Sequence, residues 1–351
     1  MNKMNAVVSY GKNDFCIAEV EIPVPTDDEV LCRIKSVAIC GSDPGLFSGH
    51  YASMGWPPSY PFIFGHEWTG EVIKTGKRVT SLRPGDRVAG EAHSGCGICR
   101  NCREGNYNLC LNYGNLLKGH RHYGFLVNGA YAQYGVFTAK SCTKIPDNVS
   151  YDDAALCDSA GTALQAVRLA DIRQGETIAI YGPGPIGNLA MQIARTKGAH
   201  VIVIGRGARL EACLADGAHE VIDYEKHEPL ERLAQLTGGM GADAVIECAG
   251  TDTAIYNSVM SARKNGRVVL VSMPKNKDLV MPVNTIVCNQ IHVTGSRANP
   301  NCCPEILKLL AEGRIKTEHL ITHRFPMTEM AEALDIFSKR KDGAVKVIVH
   351  P

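Results

Sequence analysis

Thr177-Ile-Ala-Ile-Tyr-Gly-Pro-Gly-Pro-Ile-Gly187 runs from an apolar stretch of strand length into a glycine turn, and Asn188-Leu-Ala-Met-Gln-Ile-Ala-Arg195 continues as a helix. Gly182, Gly184 and Gly187 stand at G-x-G-x-x-G spacing. The first permits the turn, the second lets backbone approach a pyrophosphate, and the third lets helix pack on strand. The helix N-terminus offers unpaired N–H groups to an anion. Pro185 and Ile186 join the three glycines as candidate cofactor-binding residues. In a chain with 35 glycines the spacing alone is weak, and the context carries it. His200-Val-Ile-Val-Ile204, Glu220-Val-Ile-Asp223, Ala242-Asp-Ala-Val-Ile-Glu-Cys248 and Gly266-Arg-Val-Val-Leu-Val271 repeat the strand pattern, with helical intervals at 210–216 and 253–263. Strands alternating with helices predict a doubly wound parallel sheet with its ligand at the carboxyl ends of the strands. A glycine-rich turn without a ligand is the plain alternative.

The segments on either side read differently. Residues 1 to 150 carry short strand-like runs (Asn5-Ala-Val-Val-Ser, Glu29-Val-Leu-Cys-Arg-Ile-Lys, Thr69-Gly-Glu-Val-Ile, Arg87-Val-Ala) punctuated by Pro and Gly, which predicts a β-rich, barrel-forming domain. After residue 295 come helical patterns at 303–312 and 328–339, then the strand Ala344-Val-Lys-Val-Ile-Val349. One strand after so many helices cannot make a domain alone, so it is expected to return to the first sheet. The α/β chain then divides into 1–159 with 297–351, and an inserted dinucleotide-binding domain at 160–296.

Length suits this division, since 351 residues suffice for two cores. Apolar content of 45% and charged content of 21% are those of a soluble globular protein, and a net charge of +1 argues against nucleic acid or an anionic membrane as partner. The N-terminus lacks a signal-peptide core and no apolar run approaches spanning length, so the cytosol is the expected compartment. Fourteen cysteines in a reducing compartment then point to metal sites and small core residues, not to disulfides.

Cys96, Cys99, Cys102 and Cys110 fall in one short polar loop at C-x2-C-x2-C-x7-C spacing. Four thiolates so placed can close a tetrahedral shell around Zn²⁺ with no open position, which makes a structural site. Gly97, Gly105 and Asn106 permit the turns, and Arg100 and Arg103 can offset the negative charge. Iron–sulfur ligation is the competing reading. Elsewhere, Cys40-Gly-Ser-Asp43 and Gly65-His-Glu-Trp68 each sit beside a turn. Cys, His and carboxylate together form the ligand set of a catalytic zinc that keeps one position open.

Three motifs in this order and at these approximate spacings, the Cys-Gly-Ser-Asp and Gly-His-Glu pair, the four-cysteine loop and the glycine turn, resemble zinc-dependent medium-chain dehydrogenases of the alcohol, sorbitol and threonine dehydrogenase type. The resemblance spans essentially the whole chain. It implies a GroES-like catalytic domain with an inserted Rossmann domain, and two zinc ions per chain. Cys40 and His66 match the family's zinc ligands, with Glu67 a ligand or one that exchanges with water. Asp158, in Leu156-Cys-Asp-Ser-Ala-Gly-Thr162, matches the further ligand position, where a residue shorter than Glu reaches the metal directly or through water; Cys157 would point elsewhere. Thr162 matches a position against the nicotinamide ring. Ser42 matches the hydroxyl that takes the substrate proton into a relay, and Asp43 the carboxylate that orients a ligating imidazole. The outer relay histidine common in alcohol dehydrogenases is missing from Ser42-Asp-Pro-Gly-Leu-Phe47, leaving His50 or water to follow Ser42.

The implied reaction moves a hydride between a secondary alcohol and a nicotinamide cofactor, and a carboxylate at 158 favours polyol or amino-alcohol substrates. Lys118-Gly-His-Arg-His-Tyr123 and Ser296-Arg-Ala-Asn-Pro-Asn301 are polar stretches that could face substrate hydroxyls or could be solvated loops. Sugar alcohols, cyclitols and phosphorylated polyols all suit, with threonine as the alternative, and a non-catalytic relative of the fold as a second. The family also implies a homodimer or homotetramer, with 266–282 as candidate interface. NAD-dependent relatives end the second strand in an acid that binds the ribose hydroxyls. Here Gly205 stands at that place, followed by Arg206 and Arg209, with Tyr224 after the third strand as in NADP-dependent relatives. A guanidinium at either arginine can take a 2′-phosphate as a charge-assisted pair, so NADP is favoured over NAD.

Overall fold

The computed structural model describes residues 3–274 and 278–351. The chain forms two compact units. One comprises Met1–Asp158, Asn299–Ala311 and Leu320–Pro351, the other Ser159–Ala298 and Glu312–His319. The sequence reading assigns all of 297–351 to the first unit. The segment Glu312–His319 instead runs with the second, where Gln192 Oε1 accepts the Lys316 N–H at 2.7 Å and the His319 ring meets Asp216 at 2.6 Å.

The first unit is built on a seven-stranded sheet. Its order is Ile321–Pro326, Lys346–His350, Glu29–Ala38, Glu67–Thr75, Arg87–Gly90 and Cys142–Lys144, with Tyr134–Thr138 also paired to Glu29–Ala38. Val30, Cys32 and Ile34 alternate inward along Glu29–Ala38, and beyond Ser36 the strand is buried on both faces. The C-terminal strand covers that end, pairing Val349 with Val37 and Ile348 with Ala38. It therefore joins the first sheet, as the leftover strand in the sequence predicts. It begins at Lys346, and the helix before it at Met330, because a 3₁₀ turn at Met327–Glu329 precedes the α-helix. Trp68 and Phe137 stack at 3.7 Å in the core between strands. Each such aromatic contributes about 1.5–3 kcal/mol by leaving water.

The second unit is a six-stranded, all-parallel sheet. Numbered by chain order within the sheet, its strands lie 3-2-1-4-5-6, the dinucleotide-binding order. Both faces are covered by helices, so the central strands are continuously apolar: Ile178, Ala179, Ile180, Val201, Ile202, Val203, Val245 and Ile246 are fully buried. Among the described residues no helix is long and apolar enough to cross a membrane.

Candidate active site

The sheet register of the first unit brings two separated motifs together. Ala38 pairs with Glu67 across antiparallel strands, so Cys40, just past the end of one strand, comes beside His66, just before the start of the other. Ligand atoms of Cys40, His66 and Glu67 all lie within 4.8 Å of one another, with His66 and Glu67 buried. Asp43, fully buried at the start of a short helix, faces the His66 ring, its Oδ1 3.8 Å from Nδ1. The other carboxylate oxygen accepts the Cys40 N–H at 2.8 Å and the Tyr131 hydroxyl at 2.7 Å. Asp43 is thus fixed at one oxygen and turned to His66 with the other, which leaves Nε2 of the imidazole for a metal. Burial alone would depress the His66 pKa, but Cys40, Asp43 and Asp158 push it up to about 10. Anionic groups outnumber cations here, which is the electrostatics of a cation site.

Asp158 lies outside the close group of Cys40, His66 and Glu67. Burial and the Glu67 charge raise its pKa to about 6, against His66 and Lys346, which lower it. Its Oδ1 accepts from Asn299 Nδ2 at 3.0 Å. Thr162 follows four residues later on the helix Cys157–Leu169, one turn on and on the same face. Ser42 Oγ is buried and finds no hydrogen-bond partner among the described residues. His50 is exposed and meets Tyr51 edge-on at 5.0 Å.

The four-cysteine loop is equally well formed. Cys96 and Cys102 sulfurs are 3.9 Å apart, those of Cys99 and Cys110 4.0 Å, and all four lie within 4.8 Å of one another. A tetrahedron with Zn–S near 2.3 Å requires S···S of roughly 3.8 Å, so the thiols fit zinc. Gly95 is required as glycine, since a Cβ there would meet the Cys102 sulfur at 2.6 Å. Asn112 Nδ2 donates to the Cys96 sulfur at 3.2 Å. Arg100 pairs with Glu104 at 2.8 Å, one turn on in the same loop. All fourteen cysteines are free, in keeping with metal and core roles.

In the second unit the glycine turn is shaped for a ligand. Gly182 has φ +100°, and a Cβ on Gly187 would strike the Gly182 carbonyl at 1.9 Å, so helix and strand meet there. Gly184 opens on empty space, with nothing within 4 Å of a built Cβ, and caps the helix Pro185–Thr196. That is the cradle a pyrophosphate needs. At the end of the second strand, a Cβ on Gly205 would lie 2.4 Å from the Pro183 ring. Gly205 is therefore held as glycine by the turn itself. Arg206 lies 5.8 Å from the Tyr224 ring, and Arg209 follows on the helix Gly207–Ala215. The Arg206 guanidinium also pairs with Glu225 at 2.5 Å.

Several residues that shape these sites were not picked out as site residues by sequence. Lys346 sits buried with its ammonium on Glu67 and on the Ile39 carbonyl (3.1 Å). A lysine amid Val, Ile and Ala in a closing strand was its one signal. Tyr131 and Glu225 carried none. Of the two polar stretches considered for substrate, His120 and His122 are buried, and Arg121 donates to the Leu116 and His120 carbonyls. Asn299 and Asn301 make hydrogen bonds inside the first unit.

Residues 26–147 match the alcohol dehydrogenase GroES-like domain and residues 185–312 the zinc-binding dehydrogenase family. The chain is 32% identical to sorbitol dehydrogenase of Bacillus subtilis (strain 168) over 354 residues, covering 99% of this chain and 97% of that one. It is 33% identical to D-arabitol-phosphate dehydrogenase of Enterococcus avium, covering 97% and 96%. A solved structure described as a zinc-binding dehydrogenase from Sinorhizobium meliloti 1021, bound to NADP, superposes with a TM-score of 0.90 at 30% identity over 100% of both chains. With the sheet order, the Cys40, His66 and Glu67 cluster, the four-cysteine loop and full-length similarity agreeing, the chain belongs to the zinc-dependent medium-chain alcohol and polyol dehydrogenases.

Proposed function

We propose that this enzyme oxidises a secondary hydroxyl of a polyol to a ketone, and runs the reverse reduction, using NADP in preference to NAD. The observation that carries the reading is the Cys40, His66 and Glu67 cluster with the unpartnered Ser42 hydroxyl, in a chain a third identical to sugar-alcohol dehydrogenases. Cys40 and His66 hold the catalytic zinc, Glu67 serves as third or exchanging ligand, and Asp158 acts on the site directly or through water. When bound there, zinc supplies Lewis-acid polarisation of a substrate oxygen. Ser42 Oγ accepts the hydroxyl proton and passes it to solvent, while Asp43, fixed by Tyr131 and the Cys40 N–H, holds the His66 imidazole in place. Cys96, Cys99, Cys102 and Cys110 hold a second, structural zinc.

Gly182, Gly184, Pro185, Ile186 and Gly187 receive the cofactor pyrophosphate, and Thr162 lies against the nicotinamide. Gly205, Arg206, Arg209 and Tyr224 surround the adenosine ribose. The Arg206–Glu225 pair is exposed on both sides, and such pairs are worth 1 kcal/mol or less. A 2′-phosphate bound as a charge-assisted acceptor, worth about 1.5–3 kcal/mol, displaces Glu225 from it.

The protein is placed in the cytosol as a homodimer or homotetramer. Supporting the oligomer, Met273, Val280, Val283 and Val287 of the second unit are large, apolar and more than half exposed. Of the interface candidate 266–282, residues 275–277 lie outside the described residues.

A panel of sorbitol, arabitol, arabitol phosphate, a cyclitol and threonine, each with NADP and with NAD, tests the reading. Polyol turnover is the expected result. Turnover confined to threonine would make the enzyme an amino-alcohol dehydrogenase.

A further inference from the structure

Glu91 is a buried carboxylate that the reaction does not use. It is 6% exposed, follows the strand Arg87–Gly90, and accepts a hydrogen bond from the Tyr107 hydroxyl. Burial pushes its pKa up to about 7. Tyr107 belongs to the four-cysteine loop, between Cys102 and Cys110, and lies close against Gly95, whose built Cβ would sit 2.5 Å from the Tyr107 Cβ.

The same hydroxyl accepts the backbone N–H of Asn301 at 2.7 Å, from a segment 194 residues further along the chain. Asn301 is fixed a second time, by its side-chain Nδ2 on the Gly105 carbonyl at 2.9 Å. Its backbone is left-handed, φ +57°, as is that of Ala298, φ +54°. A non-glycine residue keeps that conformation when its surroundings hold it there. Glu91 also receives a backbone hydrogen bond from Cys303, so the start of the helix Cys303–Ala311 is tied to the carboxylate that holds Tyr107.

Between these fixed points lies Asn299. It is 3% exposed, and its Nδ2 donates to Asp158 Oδ1 at 3.0 Å and to the Asp158 carbonyl at 3.3 Å. Pro300, with its fixed φ, separates it from Asn301. A displacement of the cysteine loop at Gly105 or Tyr107 is therefore passed through two residues of constrained backbone to the side chain that holds Asp158.

We propose that the four-cysteine loop positions Asp158 through Tyr107, Asn301 and Asn299, so that the order of the structural metal site is felt in the catalytic one. Tyr107, Asn301 and Asn299 are positioning residues, touching neither substrate nor cofactor. The inference rests on the reading that Asp158 acts on the Cys40 and His66 site.

Tyr107→Phe tests it, since it deletes the hydroxyl and keeps the ring. In the variant, amide hydrogen exchange at Asn301 is expected to accelerate while the metal content of the cysteine loop stays at the wild-type value. With Co²⁺ loaded at the Cys40 and His66 site, the visible absorption band shifts, and kcat falls about tenfold with KM for the cofactor unchanged. Asn301→Gly, which keeps the N–H and suits the positive φ but removes the carboxamide, gives a smaller change in the same direction. Faster exchange at Asn301 with an unmoved Co²⁺ band and wild-type kcat would overturn the link. An Asp158→Ala variant with the wild-type band and kcat would instead sink the underlying reading of Asp158, and the link with it.

Discussion

Lys346 and Glu67 form an ion pair in the interior of the first unit, both nearly inaccessible to solvent, in which the Lys346 ammonium also reaches the Ile39 carbonyl at 3.1 Å. The pair follows from strand register. The C-terminal strand runs antiparallel to Glu29–Ala38, with Ile348 opposite Ala38 and the Ile39 N–H on the Val347 carbonyl at 2.9 Å, so Lys346 arrives beside the Cys40 turn. A candidate zinc ligand is thereby held by a cation. Removing one partner of a buried pair leaves an uncompensated charge and costs about 3–5 kcal/mol, whereas replacing both with apolar or neutral groups costs far less. Lys346→Met is expected to lose stability of that size in a denaturant titration, and Lys346→Met with Glu67→Gln to regain most of it. A single variant as stable as wild type would show that the pair contributes nothing to the fold.

Cys99→Ser interrupts the four-thiolate shell. Since metal binding to such a shell is coupled to its folding, the loop is expected to lose the proposed zinc and its order, with a melting temperature lower by several degrees. Calorimetry with metal analysis checks this. Unchanged melting and unchanged zinc content would show that the loop holds no metal.

Asp152 sets an acid limit on stability. Its carboxylate accepts from Ser36 Oγ at 2.6 Å, Arg324 Nε at 2.7 Å and His350 Nε2 at 2.9 Å, tying three strands together. Burial would raise its pKa, but these partners outweigh burial and hold it well below the usual carboxylate range. A depressed folded pKa gives stability that is complete above the unfolded value, near 3.9, and is lost as pH falls through the folded value. Asp152→Asn is therefore expected to be less stable than wild type by roughly 1.5–3 kcal/mol at neutral pH, with the gap closing below about pH 4. Urea melts across that range decide it, and a gap independent of pH would refute the assignment.

The proposed NADP preference rests on Arg206. Arg206→Ala is expected to raise KM for NADP by roughly tenfold or more and to change KM for NAD little. Gly205→Asp alone forces a side chain against the Pro183 ring and is expected to weaken both cofactors. Combined with Pro183→Ala, it shifts preference toward NAD. Equal or better kcat/KM with NAD in the unmutated enzyme would defeat the NADP reading.

The parts legible in the sequence were those set by local pattern. The strand-turn-helix at Gly182, the paired strands and helices after it, the four-cysteine loop at 96–110, and the Cys40-Gly-Ser-Asp43 and Gly65-His-Glu-Trp68 motifs each announce themselves in a short stretch of sequence. The closing strand could be assigned to the first sheet because an unpaired strand needs a partner. What was hidden depended on register or on distant contacts. Lys346 meets Glu67 only because the C-terminal strand pairs with Glu29–Ala38, and Tyr131 reaches Asp43 across 88 residues of chain. Asn299 and Asn301 read as polar loop residues available to a substrate, and only the fold shows them turned to Asp158 and Gly105. Glu225 lies one residue beyond Tyr224, where no pattern marks it as the partner of Arg206.

Cys40 and His66 are proposed to hold a catalytic zinc for polyol oxidation. This is tested most directly by measuring zinc per chain and polyol-dependent NADP reduction together, in wild type and in Cys40→Ala. Wild type is expected to carry two zinc ions and to turn over. The variant is expected to carry one zinc ion, to retain its fold and to turn over more slowly by a factor on the order of a thousand or more. A Cys40→Ala enzyme that still binds two zinc ions and turns over at the wild-type rate would contradict it.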